Sequence, residues 1–107
     1  MNTRDCIEDR KDLLALLPYE EHGILSELIL DGNKSHAIVY SIYEGEELVC
    51  DALSKMILLI VLEGTAFIRI DSDNCMLEPL MSLTVPKSKT FTIVATSNCK
   101  VLQVIKI

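Results

Sequence analysis

The stretch from Gly45 to Gly64, GEELVCDALSKMILLIVLEG, decides how the chain is read. Its first glycine sits in the turn-forming run Glu44-Gly45-Glu46-Glu47, and residues 48–53 read as a short strand. Next comes the unbroken apolar run Met56-Ile57-Leu58-Leu59-Ile60-Val61-Leu62, which Glu63-Gly64 closes. A run of that length between turn residues reads as a strand with apolar side chains on both faces. It is far shorter than the roughly 20 residues that a helix needs to cross a bilayer.

Outward from this segment the period stays at two. Downstream, residues 65–71, 75–77, 82–85, 90–95 and 101–105 read as strands, with Asp71-Ser72-Asp73-Asn74 as a hairpin tip. Upstream, residues 24–30 form a strand that ends at the turn signal Asp31-Gly32-Asn33. Residues 35–43 follow, with Ala37, Val39, Ser41 and Tyr43 opposed to His36, Ile38, Tyr40 and Ile42. Before Gly23 the pattern is different. Asp5 and Glu8 have the spacing of a capping box, Ile7, Leu13, Leu14, Leu16 and Leu17 recur at helical intervals, and Pro18 ends the run. The expected architecture is all-β: a short helical segment over residues 1–22, then a small barrel or sandwich of eight or nine strands over residues 23–107.

Composition narrows the class. The 107 residues are 50% hydrophobic and 24% charged, with a mean hydropathy of +0.33, too apolar for disorder. A net charge of −6 with dispersed Lys and Arg argues against a nucleic-acid partner. Residues 1–6 lack the charged-then-apolar layout of a signal peptide, so a cytoplasmic protein without a membrane partner is expected. Cys6, Cys50, Cys75 and Cys99 are dispersed, without a Cys-x-x-Cys pair, and read as reduced, semi-buried small hydrophobes. The outward row Met56, Leu58, Ile60 and Leu62 would face water in a monomer. A homodimer that covers it is the expected partner arrangement, with cover from within the chain as the alternative.

Gly45, Asp51, Leu53, Ile57 and Gly64 keep the register of the first cupin motif, and Pro86 and Phe91 keep that of the second. From about Gly23 the chain resembles a small conserved-barrel cupin, RmlC-like, which implies a jelly-roll barrel. The turn and strand from Leu62 to Asp71, and Leu83-Thr84-Val85-Pro86, are similar to the family's segments after the first motif and before the second. In metal-dependent cupins, histidines and a glutamate occupy the positions of Asp51, Leu53, Ile57 and Phe91 and hold a divalent ion. Here Asp51 alone carries a donor atom, so no metal and no other cofactor is expected. The second motif's usual glycines fall at Leu80 and Ser88, and its asparagine at Ala95, so altered turns are expected there.

The chemistry left to such a barrel is limited. Metal-independent cupins that use a His base and a Tyr acid need both on one pocket, and no motif places His22, Tyr19, Tyr40 and Tyr43 together. Asp51 projects either into a lumen lined by Leu53, Ile57, Leu59, Val61 and Phe91, or outward at the rim near Lys55. The reading is a metal-free cupin domain acting as a non-enzymatic small-molecule-binding or interaction module. Asp51, Leu53, Ile57 and Phe91 are its candidate ligand-contacting residues. The alternative is a metal-independent isomerase or lyase on a small polar substrate, with Asp51 as base.

Overall fold

Alternation of buried and half-buried side chains organises nine antiparallel strands in the computed structural model, which describes residues 10–106. The strands are β1 (Ile24–Asp31), β2 (Ser35–Ile42), β3 (Glu47–Cys50), β4 (Ile57–Glu63), β5 (Ala66–Ile70), β6 (Asp73–Leu77), β7 (Ser82–Val85), β8 (Phe91–Ala95) and β9 (Cys99–Lys106). They form a five-stranded sheet ordered β1-β2-β9-β4-β7 and a four-stranded sheet ordered β3-β8-β5-β6.

The pairing register decides which side chains meet. Val85, Ile57 and Ile105 lie on one rung of the larger sheet, and Val61 pairs Val101 further along. In the smaller sheet Leu48 pairs Ile93, Cys50 pairs Phe91, and Ala66 pairs both Ala95 and Leu77. These rows face each other and form one core, with Leu59, Val61, Ala66, Ile93, Cys99 and Val101 fully buried. Burial on this scale stabilises each such aliphatic side chain by about 1.5–3 kcal/mol.

The outer face of the larger sheet is also apolar, and the chain covers one end of it. Residues 10–19 cross there as a strap. Ser41 Oγ donates to the Leu17 carbonyl at 3.2 Å, and the Lys100 ammonium donates to the Leu14 carbonyl. Lys100 is only 6% exposed, yet it lies 5.0 Å from the centre of the Tyr19 ring and 3.9 Å from a Glu63 carboxylate oxygen. Tyr19 donates to that same carboxylate at 2.6 Å. A lysine buried this far is tolerated because a carbonyl, a carboxylate and a ring face replace its lost water.

The strap corrects the expectation of an N-terminal helix. Its described residues are irregular with a single turn, and no helix occurs among the described residues. Asp12 explains this locally: its Oδ1 accepts the Leu14 amide at 3.0 Å, while its carbonyl accepts the Ala15 amide. Side-chain capture of a nearby N–H competes with helix propagation, and Pro18 disfavours helical geometry at Leu17. The Asp5–Glu8 capping box lies outside the described residues.

The glycines of the opening segment are used differently. Gly45 has φ +89° and open space around it. Gly64 has φ +75°, and a Cβ there would overlap the Asn98 carbonyl oxygen and lie 2.9 Å from Cys99 Cα. Leu80 and Ser88 stand at the positions of the second motif's usual glycines. Both residues adopt the left-handed conformation that glycine favours, with φ +68° and +63°. Each is held by a strong backbone bond, Leu80 N–H to the Val61 carbonyl and Ser88 N–H to the Leu53 carbonyl, both 2.7 Å. A branched residue in that region costs roughly 1–2 kcal/mol, and Leu80 is 81% exposed, so little packing offsets it. Leu80→Gly and Ser88→Gly are each expected to raise unfolding free energy by about 0.5–1 kcal/mol in urea denaturation. Gly64→Ala is expected to lower it by about 3 kcal/mol or more. A destabilising Leu80→Gly would show that the turn is unstrained.

Candidate functional site at the barrel mouth

The registers place one set of connections at each end of the barrel. The β2–β3, β4–β5, β6–β7 and β8–β9 turns close one end and are tied together by hydrogen bonds. Gly45 N–H donates to Ala95 O at 2.8 Å, Thr65 N–H to Ser97 Oγ at 3.0 Å, and Glu44 N–H to Asn98 Oδ1 at 2.8 Å. The β1–β2, β3–β4, β5–β6 and β7–β8 connections surround the other end. This second end is the mouth. Gly45 and Gly64 belong to the closed end, whereas Asp51, Leu53, Ile57, Pro86 and Phe91 lie on the mouth side.

Those residues do not form one surface. Ile57 and Phe91 are buried in the wall of the core, whereas Asp51 and Leu53 lie on the exposed connection after β3. Of the two expected orientations for Asp51, the structure shows the rim. Fitting a divalent ion here fails on donor chemistry, because Ile57 and Phe91 offer none inside the lumen. Among the described residues no three His, Cys, Asp or Glu side chains converge on a point that could hold a metal. The histidines are engaged elsewhere: His36 meets Asp31 at 3.2 Å at the sheet end, and His22 packs 5.3 Å from Tyr43 on the closed side. Tyr19 is committed to the strap, and among the described residues no histidine or tyrosine lines the cavity at the mouth.

What the mouth does hold is a cavity of about 380 Å³ between the β5–β6 hairpin and the β7 edge. Its inner wall is Ile68, Ile70, Cys75 and Leu83, and Pro86 caps one side. Asp71, Asp73, Thr84 and Lys89 form the rim, where Lys89 bonds Asp71 Oδ2 at 2.7 Å. That bond and the nearby negative charge hold the Lys89 ammonium above its ordinary pKa. Asp73 has no such cation among the described residues and is the rim's available carboxylate. The arrangement is an apolar slot with a polar lip, the usual form of a small-molecule site.

Four polar groups lie deeper, on the inner rows. Burial raises the Tyr40 hydroxyl pKa, with a smaller contribution from Cys50, while a hydrogen bond from Gln103 opposes it. Gln103 is 5% exposed, and its Oε1 has no hydrogen-bond partner among the described residues. It is an acceptor that a donor entering the lumen would satisfy. Burial pushes the Cys50 thiol up to about 11, with Asp51 adding to the rise, and the Cys99 thiol up to about 12. Neither has the depressed pKa of a cysteine nucleophile. Spacing alone did not mark Cys75, Asp73 and Leu83, since they come from separate strands and only the register brings them together.

No family model matches the sequence, and no curated protein matches it. Solved structures do. A cupin superfamily protein from Desulfitobacterium hafniense superposes with a TM-score of 0.82 at 26% identity, over 87% of this chain and 85% of that one. The chain has the fold of a small cupin domain. An RmlC-like cupin from Desulfovibrio desulfuricans gives 0.82 at 20% identity, covering 91% of this chain and 94% of the other. A mutant of salicylate 1,2-dioxygenase from Pseudoaminobacter salicylatoxidans gives 0.70 at 13% identity, over 78% of this chain but 26% of the longer protein. The jelly-roll barrel is therefore common to all three, while the chemistry of each belongs to its own site. No helix among the described residues is long and apolar enough to cross a membrane.

The buried thiols give the cupin a pH signature. A thiol whose folded pKa is raised favours the folded state below its ordinary value near 9, and that stability is lost as pH climbs toward the folded value. The melting temperature is expected to fall above pH 9, and to fall less steeply in Cys99→Ala. Parallel curves for the two proteins would remove Cys99 from this account.

Proposed function

We propose that this cupin is a metal-independent, non-enzymatic small-molecule-binding module whose ligand enters the mouth cavity. The observation that carries the reading is the lining of that cavity. Ile68, Ile70, Leu83 and Pro86 suit an apolar body, and the Asp73 carboxylate suits an amine or hydroxyl at the lip. The ionisable groups at the lip, Asp73 and the Lys89–Asp71 ion pair, suit recognition of a polar group on the ligand. Isomerase or lyase chemistry with Asp51 as base is less well supported, since Asp51 is exposed and lines neither this cavity nor the lumen.

The same reading includes a homodimer. Leu58, Ile60 and Leu62 remain half-buried on the outer sheet face, and Met56 is 47% exposed beyond the strap. A second copy on this row would remove it from water. A native mass of twice the chain is the check, and a monomer at micromolar concentration would contradict it.

Leu83→Trp tests the cavity, because a larger side chain on the edge strand fills the slot. In a ligand-observed NMR screen of small aromatic and aliphatic amines, hits are expected to compete with one another and to vanish in Leu83→Trp. Asp73→Asn is expected to weaken them roughly fivefold or more. Hits that survive both changes would place ligand binding elsewhere.

A further inference from the structure

We infer that the outer rim of the mouth carries an anion site, built from Lys55, Lys87 and Lys106, for a small phosphorylated molecule. This inference does not rest on the mouth cavity, which lies across the β7–β8 turn from it. The three lysines come from the β3–β4 connection, the β7–β8 turn and the end of β9. The fold brings them together because Val85, Ile57 and Ile105 share one rung, so the residues just beyond those strands are neighbours in space. Two backbone bonds tie the segments, Lys106 N–H to Met56 O at 3.4 Å and Ser88 N–H to Leu53 O at 2.7 Å. Together with Ser54 and Met56, the three lysines line a concavity of about 300 Å³.

The charge arrangement is what makes this concavity unusual in a chain of net charge −6. Among the described residues no carboxylate side chain lines it. Lys89, Lys100 and Arg69 each have an acidic partner, whereas Lys55, Lys87 and Lys106 have none among the described residues. Three like charges on one concave surface repel each other, and an anion between them relieves that repulsion. Ammonium groups act as point charges with rotatable donors, which suits the tetrahedral oxygens of a phosphoryl group. A carboxylate is matched best by the planar fork of arginine. The volume exceeds that of a bare phosphate, which leaves room for a small organic body. The acidic remainder of the surface disfavours a polyanionic chain such as nucleic acid.

Titration of the labelled full chain with glycerol 3-phosphate, followed by amide NMR at low salt and at about 150 mM salt, tests the site. Saturable shifts are expected at Ser54, Lys55, Met56, Lys87 and Lys106. Lys87→Gln and Lys106→Gln should each weaken the apparent Kd roughly fivefold. Lys34→Gln, a mouth-end lysine outside the concavity, and Leu83→Trp, which fills the neighbouring cavity, should leave it unchanged. Shifts that grow linearly without saturation, or equal weakening by Lys34→Gln, would overturn the site as diffuse attraction. Citrate binding as tightly as glycerol 3-phosphate would overturn the phosphoryl assignment.

Discussion

At Gly64 the β4–β5 turn approaches Asn98 and Cys99 so closely that no side chain fits between the two backbones. Much of the barrel depends on that approach. It holds the end of β4 against the β8–β9 turn, next to the register shift between Val61 and Glu63 where β4 runs beside β9. A slip of one residue would turn Ile57, Leu59 and Val61 out of the core and put the outer row in their place. Both rows of β4 are apolar, so hydrophobicity alone discriminates weakly between the two registers. The steric lock at Gly64, with the hydrogen bonds of Thr65 to Ser97 and Thr96, supplies the discrimination.

Once β4 is fixed, the contents of the lumen follow. Ile57, Leu59, Val61 and Phe91 fill its wall with apolar side chains, and the polar groups lie elsewhere. Tyr40 and Gln103 remain inside, with one amide oxygen unpaired. Asp71, Asp73 and Lys89 collect at the lip, and three further lysines collect outside it. The closed end, by contrast, carries Glu20, Glu21, Glu44, Glu46 and Glu78. The net negative charge therefore says little about the mouth, where lysines are concentrated.

Much of the fold was legible from alternation and turn residues, because a strand's burial pattern is written at a period of two. Asp31-Gly32-Asn33 and Asp71-Ser72 marked real turns, and the spacing of Gly45 and Gly64 marked the two left-handed positions around β3 and β4. The strap was misread because its leucines have helical spacing, while Asp12 and Pro18 decide its backbone locally. Leu80 and Ser88 show a feature of another kind. Hydrogen bonds to Val61 and Leu53 keep the left-handed turns even without glycine, and sequence cannot show that tertiary compensation. The mouth was least legible, since its lining residues come from several strands and loops whose pairing determines who meets whom.

The central proposal is that this barrel works without a metal ion, and its composition in solution tests that most directly. The measurement is native mass spectrometry of untagged protein purified without chelator from cells grown in metal-replete medium. The account predicts subunits free of stoichiometric metal, with any extra mass belonging to an organic ligand. One iron, manganese, nickel or zinc ion per chain, retained through purification, would contradict it.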